Sequence, residues 1–326
     1  MNADMRLDPA SDASGGRARA EMHGGAWRPW SGERRPARFR AAPIVRAGLR
    51  IALRKKLPLV LLFLPPVVAT IIFSFVVYTV AALAQGMAPA GLGPAGGAMG
   101  QALGGPGGAG DFVKQLVRVR EMIVGFHLST DFFSVLLMAW FGAGLLAEDK
   151  KSGAHLLYFA RPLTRGDYLL GKFCIVALFG VLGSILPGLV IIAVAVAASP
   201  DWSFLQQEGS VVWKTFLFGG AWTIVVSSLV LAVSSLATRK SYALAGVFAW
   251  FMFSGAIALL LSRLLKDRDW LALSPVQCGV RIATDLFDMR LGVRDWNTPL
   301  AWTAWGLLVV LSWTIIWWRT RRLEVV

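Results

Sequence analysis

Residues 215–262 read TFLFGGAWTIVVSSLVLAVSSLATRKSYALAGVFAWFMFSGAIALLLS. One uncharged apolar run extends from Thr215 to Thr238 and a second from Ser241 to Ser262, with only Arg239-Lys240 between them. A helix rises 1.5 Å per residue, so roughly 20 residues cross the ~30 Å hydrocarbon core of a bilayer, and both runs are long enough. Inside lipid a lone segment must pair all of its backbone N–H and C=O groups internally, which leaves the helix as its conformation. The stretch therefore predicts two membrane-spanning helices joined by a tight basic turn.

Working outward, four more runs of this kind occur, and the full set of expected spans is about 57–84, 132–147, 173–199, 215–238, 241–262 and 299–318. The predicted fold is an all-α integral membrane protein with six transmembrane helices. The second run has 16 residues, too few to cross alone, and is expected to borrow Thr130 and Asp131 or to sit where the bilayer thins. Pro65, Pro66 and Pro187 are expected to kink the first and third helices. A hydrophobic content of 56% with only 16% charged residues excludes an ordinary soluble domain.

The net charge of +14 does not form a nucleic-acid stripe, because Lys and Arg gather at the ends of the apolar runs. With the N-terminus inside, the cytoplasmic segments hold 23 of these cations and the outer loops 9, so the chain is read as N-in and C-in. Cys174 and Cys278 then face opposite compartments and form no pair.

Residues 1–40 have almost no aliphatic periodicity and are expected to be a disordered basic cytoplasmic arm. Between Ala41 and Lys56, Ile44, Val45, Leu49 and Leu53 recur at helical spacing while Arg46, Arg50 and Arg54 follow their own four-residue step. This pattern predicts an interfacial amphipathic helix before the first span. The first run ends in Ala82-Leu83-Ala84, which has the form of a signal-peptidase site, but the run is too long for a signal-peptide core and reads as an uncleaved anchor. Residues 86–110 carry 11 glycines and are expected to be a flexible outer loop. Their Gly91-Leu-Gly93-Pro-Ala-Gly96 matches a dinucleotide pattern without the strand and helix that pattern needs. Asp111 to Thr130 reads equally as an amphipathic outer helix or as an extension of the second span. In the last outer loop Ser274-Pro275 predicts a helix start, and apolar Val276, Val280, Ala283 and Phe287 carry that helix to about Asp288.

As bounded, the six runs contain no Asp, Glu, Lys, Arg or His, and His23, His127 and His155 all fall outside them. That disfavours a carrier driven by an ion gradient, which uses an intramembrane ionisable relay. No HExxH or GxSG proteolytic motif and no Cys/His metal spacing occurs either. Ser227, Ser228, Ala232, Ser234 and Ser235 place small residues on the fourth span, a signature of close helix packing.

The segment between the second and third spans, Glu148 to Lys172, carries the functional argument. Charges end the membrane helix, Gly153 permits a change of direction, and Leu156, Leu157 and Phe159 form an apolar patch. Arg161-Pro162 pushes the chain out of helix, and Thr164 with Asp167 forms a capping box for a new helix leading through Tyr168. An apolar patch beside paired cations suits docking into a groove on a cytoplasmic partner.

The order Glu148-Asp-Lys-Lys-Ser-Gly153, then Leu156-Leu157, then Arg161-Pro-Leu-Thr-Arg165, then Tyr168-Leu-Leu-Gly-Lys172 resembles the coupling-helix region of type-2 ABC transporter permeases. The resemblance extends to the surface helix, the six-span layout and Leu273-Ser-Pro275. It implies a six-helix permease domain over 41–326, powered by a separate ATPase through this cytoplasmic coupling helix over 148–172. On that resemblance Glu148, Lys150, Lys151, Gly153, Leu156, Leu157, Arg161, Pro162, Arg165 and Tyr168 are the expected contacts to the ATPase. It further implies an exporter in the bacterial inner membrane, a homodimer or a pair with a related permease subunit, and contact with lipids rather than nucleic acid. ATP and Mg would be bound by the partner, with no cofactor in this chain. The only Gly-Lys, Gly171-Lys172, has no phosphate-binding loop before it, in keeping with that division. Ala154-His155 departs from the family pattern and leaves the cargo open. A membrane scaffold that anchors a complex without transporting is the alternative reading of the same residues.

Overall fold

The computed structural model describes residues 41–54, 56–84, 119–153, 164–198, 203–289 and 296–321. The arm expected over 1–40 and the glycine-rich loop over 86–110 lie outside them. Among the described residues there is no strand. The helices in chain order are α1 (Ala42–Arg54), α2 (Lys56–Ala84), α3 (Val119–Gly142), α4 (Gly144–Ser152), α5 (Arg165–Gly180), α6 (Leu186–Ala197), α7 (Ser203–Glu208), α8 (Ser210–Leu236), α9 (Lys240–Leu264), α10 (Pro275–Leu286) and α11 (Thr298–Arg321). Six helical stretches are long and apolar enough to cross a membrane: α2, α3 with α4, α5 with α6, α8, α9 and α11. The protein is an all-α, multi-pass integral membrane protein.

The spans are not equivalent. The most apolar windows of the second, third and fourth are 67%, 61% and 67% buried, against 11%, 17% and 22% for the first, fifth and sixth. The middle three therefore make the core, and the other three present side chains such as Leu61, Phe75, Phe253 and Leu307 outward. Small residues let the core helices approach. A Cβ on Gly142 would meet Val230 Cγ1 at 2.6 Å and Val176 Cγ2 at 2.8 Å, and one on Gly180 would meet Thr223 Cγ2 at 2.7 Å. Ser227, Ser228, Ser234 and Ser235 are all buried on this contact, as expected for close packing.

The helix that carries the second span is longer than its 16-residue apolar run. It begins at Val119 and continues to Ser152, so it takes in Thr130 and Asp131 and extends the span outward, as one of the two readings of 111–130 expected, and His127 and Asp131 lie on it, both buried. Ionisable groups therefore lie on the spanning helix itself, outside the run as bounded. Hydropathy ended the run at the first charged residue, but here neighbouring protein rather than lipid surrounds the polar groups. His127 sits edge-on between Phe126 and Phe218, its Nδ1 3.4 Å from Ser184 Oγ.

In the third span five residues, Val181–Ile185, form a π-helical turn in which the Leu186 N–H reaches back to the Val181 carbonyl. Pro187, which has no N–H to donate, follows at once, and the wider turn absorbs the irregularity expected there. α2 runs through Pro65 and Pro66 without a break.

α1 is a helix of its own, packed on the start of α5. Ile44 and Ala41 are buried where they meet Gly171, while Arg46, Arg50 and Arg54 are exposed. Leu53, expected on the apolar face, is exposed, while Leu49 and Ala52 of the same helix pack partly buried against the core. α10 starts as expected, with Ser274 Oγ accepting from the Gln277 N–H and Pro275 in the first turn. It packs Val280, Ala283 and Phe287 inward, and the Trp305 indole N–H of α11 donates to the Pro275 carbonyl at 3.0 Å.

Candidate functional site

The end of the bundle that the charge count assigns to the cytoplasm is built around the α3–α4 junction. Ala143 keeps helical dihedrals (φ −59°, ψ −29°), but the hydrogen-bond ladder breaks there, leaving the first N–H groups of α4 and the last carbonyls of α3 in need of partners. Ser234 of the fourth span supplies them. Its hydroxyl donates to the Ala143 carbonyl at 2.7 Å and accepts from the N–H groups of Leu146 at 3.1 Å and Ala147 at 3.3 Å. A side chain from another helix thus caps α4, and Lys150 Nζ donates to the Ser235 carbonyl one residue further on.

α4 ends at Gly153, whose φ of +68° is the left-handed conformation that glycine adopts without strain. The chain is next described at Thr164, where the expected capping box is complete. Thr164 Oγ1 accepts from the Asp167 N–H at 3.1 Å, and Asp167 Oδ2 accepts from the Thr164 N–H at 3.1 Å. This box fixes where α5 begins, and so which face Tyr168 and Lys172 present.

Those two residues, four apart on one helical face, converge on Asp149. The Tyr168 hydroxyl donates to Asp149 Oδ2 at 2.7 Å, and Lys172 Nζ lies 2.7 Å from the same oxygen. Tyr168 and Lys172 are 3% and 5% exposed, and the ammonium also lies 5.5 Å from the Tyr168 ring centroid. An ammonium this deeply covered is costly unless paired, and the Asp149 carboxylate, itself 16% exposed, pairs it. Close by, Lys240 at the start of the fifth span lies 4.8 Å over the Trp140 ring.

Among the expected contact residues, Glu148 and Lys151 are exposed on α4, and Lys150 and Arg165 are half-buried. Gly153 ends the helix, and Tyr168 points inward onto Asp149. Leu156, Leu157, Arg161 and Pro162 lie outside the described residues. The sequence reading missed Asp149, Lys172 and Ser234 as a set. The only local hint was the Tyr-Leu-Leu-Gly-Lys spacing, which puts a hydroxyl and an ammonium on one face. The arrangement is a mechanical joint: one carboxylate ties the end of the second span to the start of the third, across the intervening segment.

A comparison with curated proteins gives no match. A family described as ABC-2 family transporter protein matches over residues 98–269, more than half of the chain, including the second to fifth spans and the whole Asp149 joint. With six spans and that match, the chain belongs to the ABC-2 family of transporter proteins and is a membrane permease of an ABC transporter.

Proposed function

We propose that this permease is an exporter powered by a separate cytoplasmic ATPase that engages the segment 148–172, and that it works as a homodimer or with a related permease subunit in the bacterial inner membrane. The observation that carries the reading is the joint at Asp149. A push on the segment bears on Glu148 and Lys151 at one end and Arg165 at the other. Asp149 makes both ends move together, so force reaches two core spans at once. The core placement of those spans supports the same reading, since they pack on the fourth span through Ser234 and Gly142. ATP and Mg belong to the partner in this scheme.

His127 and Asp131 remove the argument that the spans hold no ionisable group, so the ATP-driven reading stands on family membership and on the joint.

The test is co-purification of a soluble ATPase with the full chain from native membranes, followed by charge reversal at Arg161 or Arg165. Hydrolysis uncoupled from transport, with normal membrane insertion, is the expected result. An intact chain that captures no ATPase would refute it. Replacing 154–163 with a Gly-Ser linker separates the scaffold reading, which requires function to survive, from coupling, which requires its loss.

A further inference from the structure

A cavity of about 580 Å³ opens between the second, fourth and fifth spans, closed at its outer end by the start of α10. That volume suits a small organic molecule. Its wall is largely apolar and aromatic, with Phe132, Trp222, Phe248 and Phe251 among its residues, and it includes Asp131, Ser274 and Gln277. None of the lining residues is Lys, Arg or His.

Asp131 is the unusual member. It is 7% exposed, and its Oδ1 has no hydrogen-bond partner among the described residues. The start of α10 does not serve it: Ser274, whose Oγ accepts from the Gln277 N–H, keeps an O–H to give, but that hydroxyl does not reach Oδ1. The indole N–H of Trp222, on the same wall, is also buried without a partner among the described residues. Unpaired carboxylates are costly away from water, and they are kept where something completes them. Counting 16 residues from Asp131 to Ala147, the last residue before the charges that begin at Glu148, puts the carboxyl roughly 24 Å from the charged cytoplasmic end of the helix, toward the outer side.

We infer that this cavity binds an amphipathic organic cation, with Asp131 pairing its charged group and the aromatic wall taking its apolar body. Carboxylate and aromatic faces both favour a cation, by ion pairing and by the ring quadrupole, and no basic side chain competes. Phe132, Met252 and Leu259 line the cavity and are also exposed on the flank of the bundle, so the mouth faces the hydrocarbon, where an amphipathic cation concentrates. Binding stands on the cavity alone; that the bound cation is cargo rests on the permease reading above.

The experiment measures equilibrium binding of radiolabelled tetraphenylphosphonium to the purified full chain in detergent, with tetraphenylborate as the anion of similar shape. Saturable binding of the cation, at least tenfold weaker in Asp131→Asn and restored in part by Asp131→Glu, is the expected result. Ala256→Phe, which adds bulk at an exposed lining position, should also abolish it, and size-exclusion profiles confirm that each variant is folded. Equal binding of both ions, or an Asp131→Asn variant that binds like the parent, overturns the proposal as mere partitioning. No binding at all also overturns it and leaves the face to a lipid chain or a second copy. Competition by dodecyltrimethylammonium or by phosphatidylethanolamine supports the site and tells a soluble cation from a lipid headgroup. Because the assay needs no ATPase, its failure leaves the coupling proposal standing, and failure of coupling leaves this one standing.

Discussion

The Tyr168 hydroxyl donates to the Asp149 carboxylate at 2.7 Å, joining the start of the third span to the end of the second, 19 residues apart in sequence. The same oxygen holds Lys172 at 2.7 Å, so one carboxylate serves two donors from successive turns of α5. Removing it should be worse than removing either donor, because the Lys172 ammonium would remain buried.

For Asp149→Ala the expected loss is about 3 kcal/mol, in the range for breaking one side of a covered ion pair. Tyr168→Phe should lose only about 1 to 2 kcal/mol. The double variant Asp149→Leu with Lys172→Met should recover part of the first loss, since no charge is stranded. Unfolding of the purified protein in detergent reads all three.

Ser234→Ala leaves two buried N–H groups and one carbonyl at the α3–α4 junction without partners. A destabilisation of about 1 to 3 kcal/mol follows. Ser228→Ala, which removes only a hydroxyl bonded back to the Ile224 carbonyl of its own helix, should change stability by well under that. Comparing the two in the same unfolding assay checks the assignment.

Two glycines make a matched pair. Gly142→Ala puts a methyl 2.6 Å from Val230 Cγ1 and should destabilise by about 1 to 3 kcal/mol through overpacking. Gly220 has nothing within 4 Å of its added Cβ, so Gly220→Ala should be neutral or stabilising by up to about 1 kcal/mol. The thermal midpoint should fall for Gly142→Ala and hold or rise for Gly220→Ala.

Cys278 is buried on α10, and burial pushes its thiol up to about 12. At pH 8 only about one molecule in ten thousand is thiolate, the reactive form. It should resist maleimide in the folded protein and react once the protein is denatured, and the slow labelling of the folded protein should still rise about tenfold between pH 7 and 8, because both lie far below the pKa. A variant with Cys174→Ala and Ser152→Cys then reports orientation: Ser152 is exposed at the end of α4 and should react with an impermeant reagent only from the cytoplasmic side. Labelling from outside would reverse the topology.

What the chain alone determined was set by local and solvent-scale physics. Runs such as 215–238 and 241–262 had no stable option in lipid but helix, the Thr164–Asp167 box and Ser274-Pro275 fixed helix starts within four residues, and Lys and Arg placement argued the orientation. The tertiary structure decided which spans form the core, where the second span starts, and that Asp149, Tyr168, Lys172 and Ser234 belong together. Hydropathy measures the cost of facing lipid and is blind to cover by neighbouring helices. His127 therefore looked excluded from a helix that in fact shelters it between Phe126 and Phe218, and partners such as Asp149 and Lys172 meet only once two helices have packed.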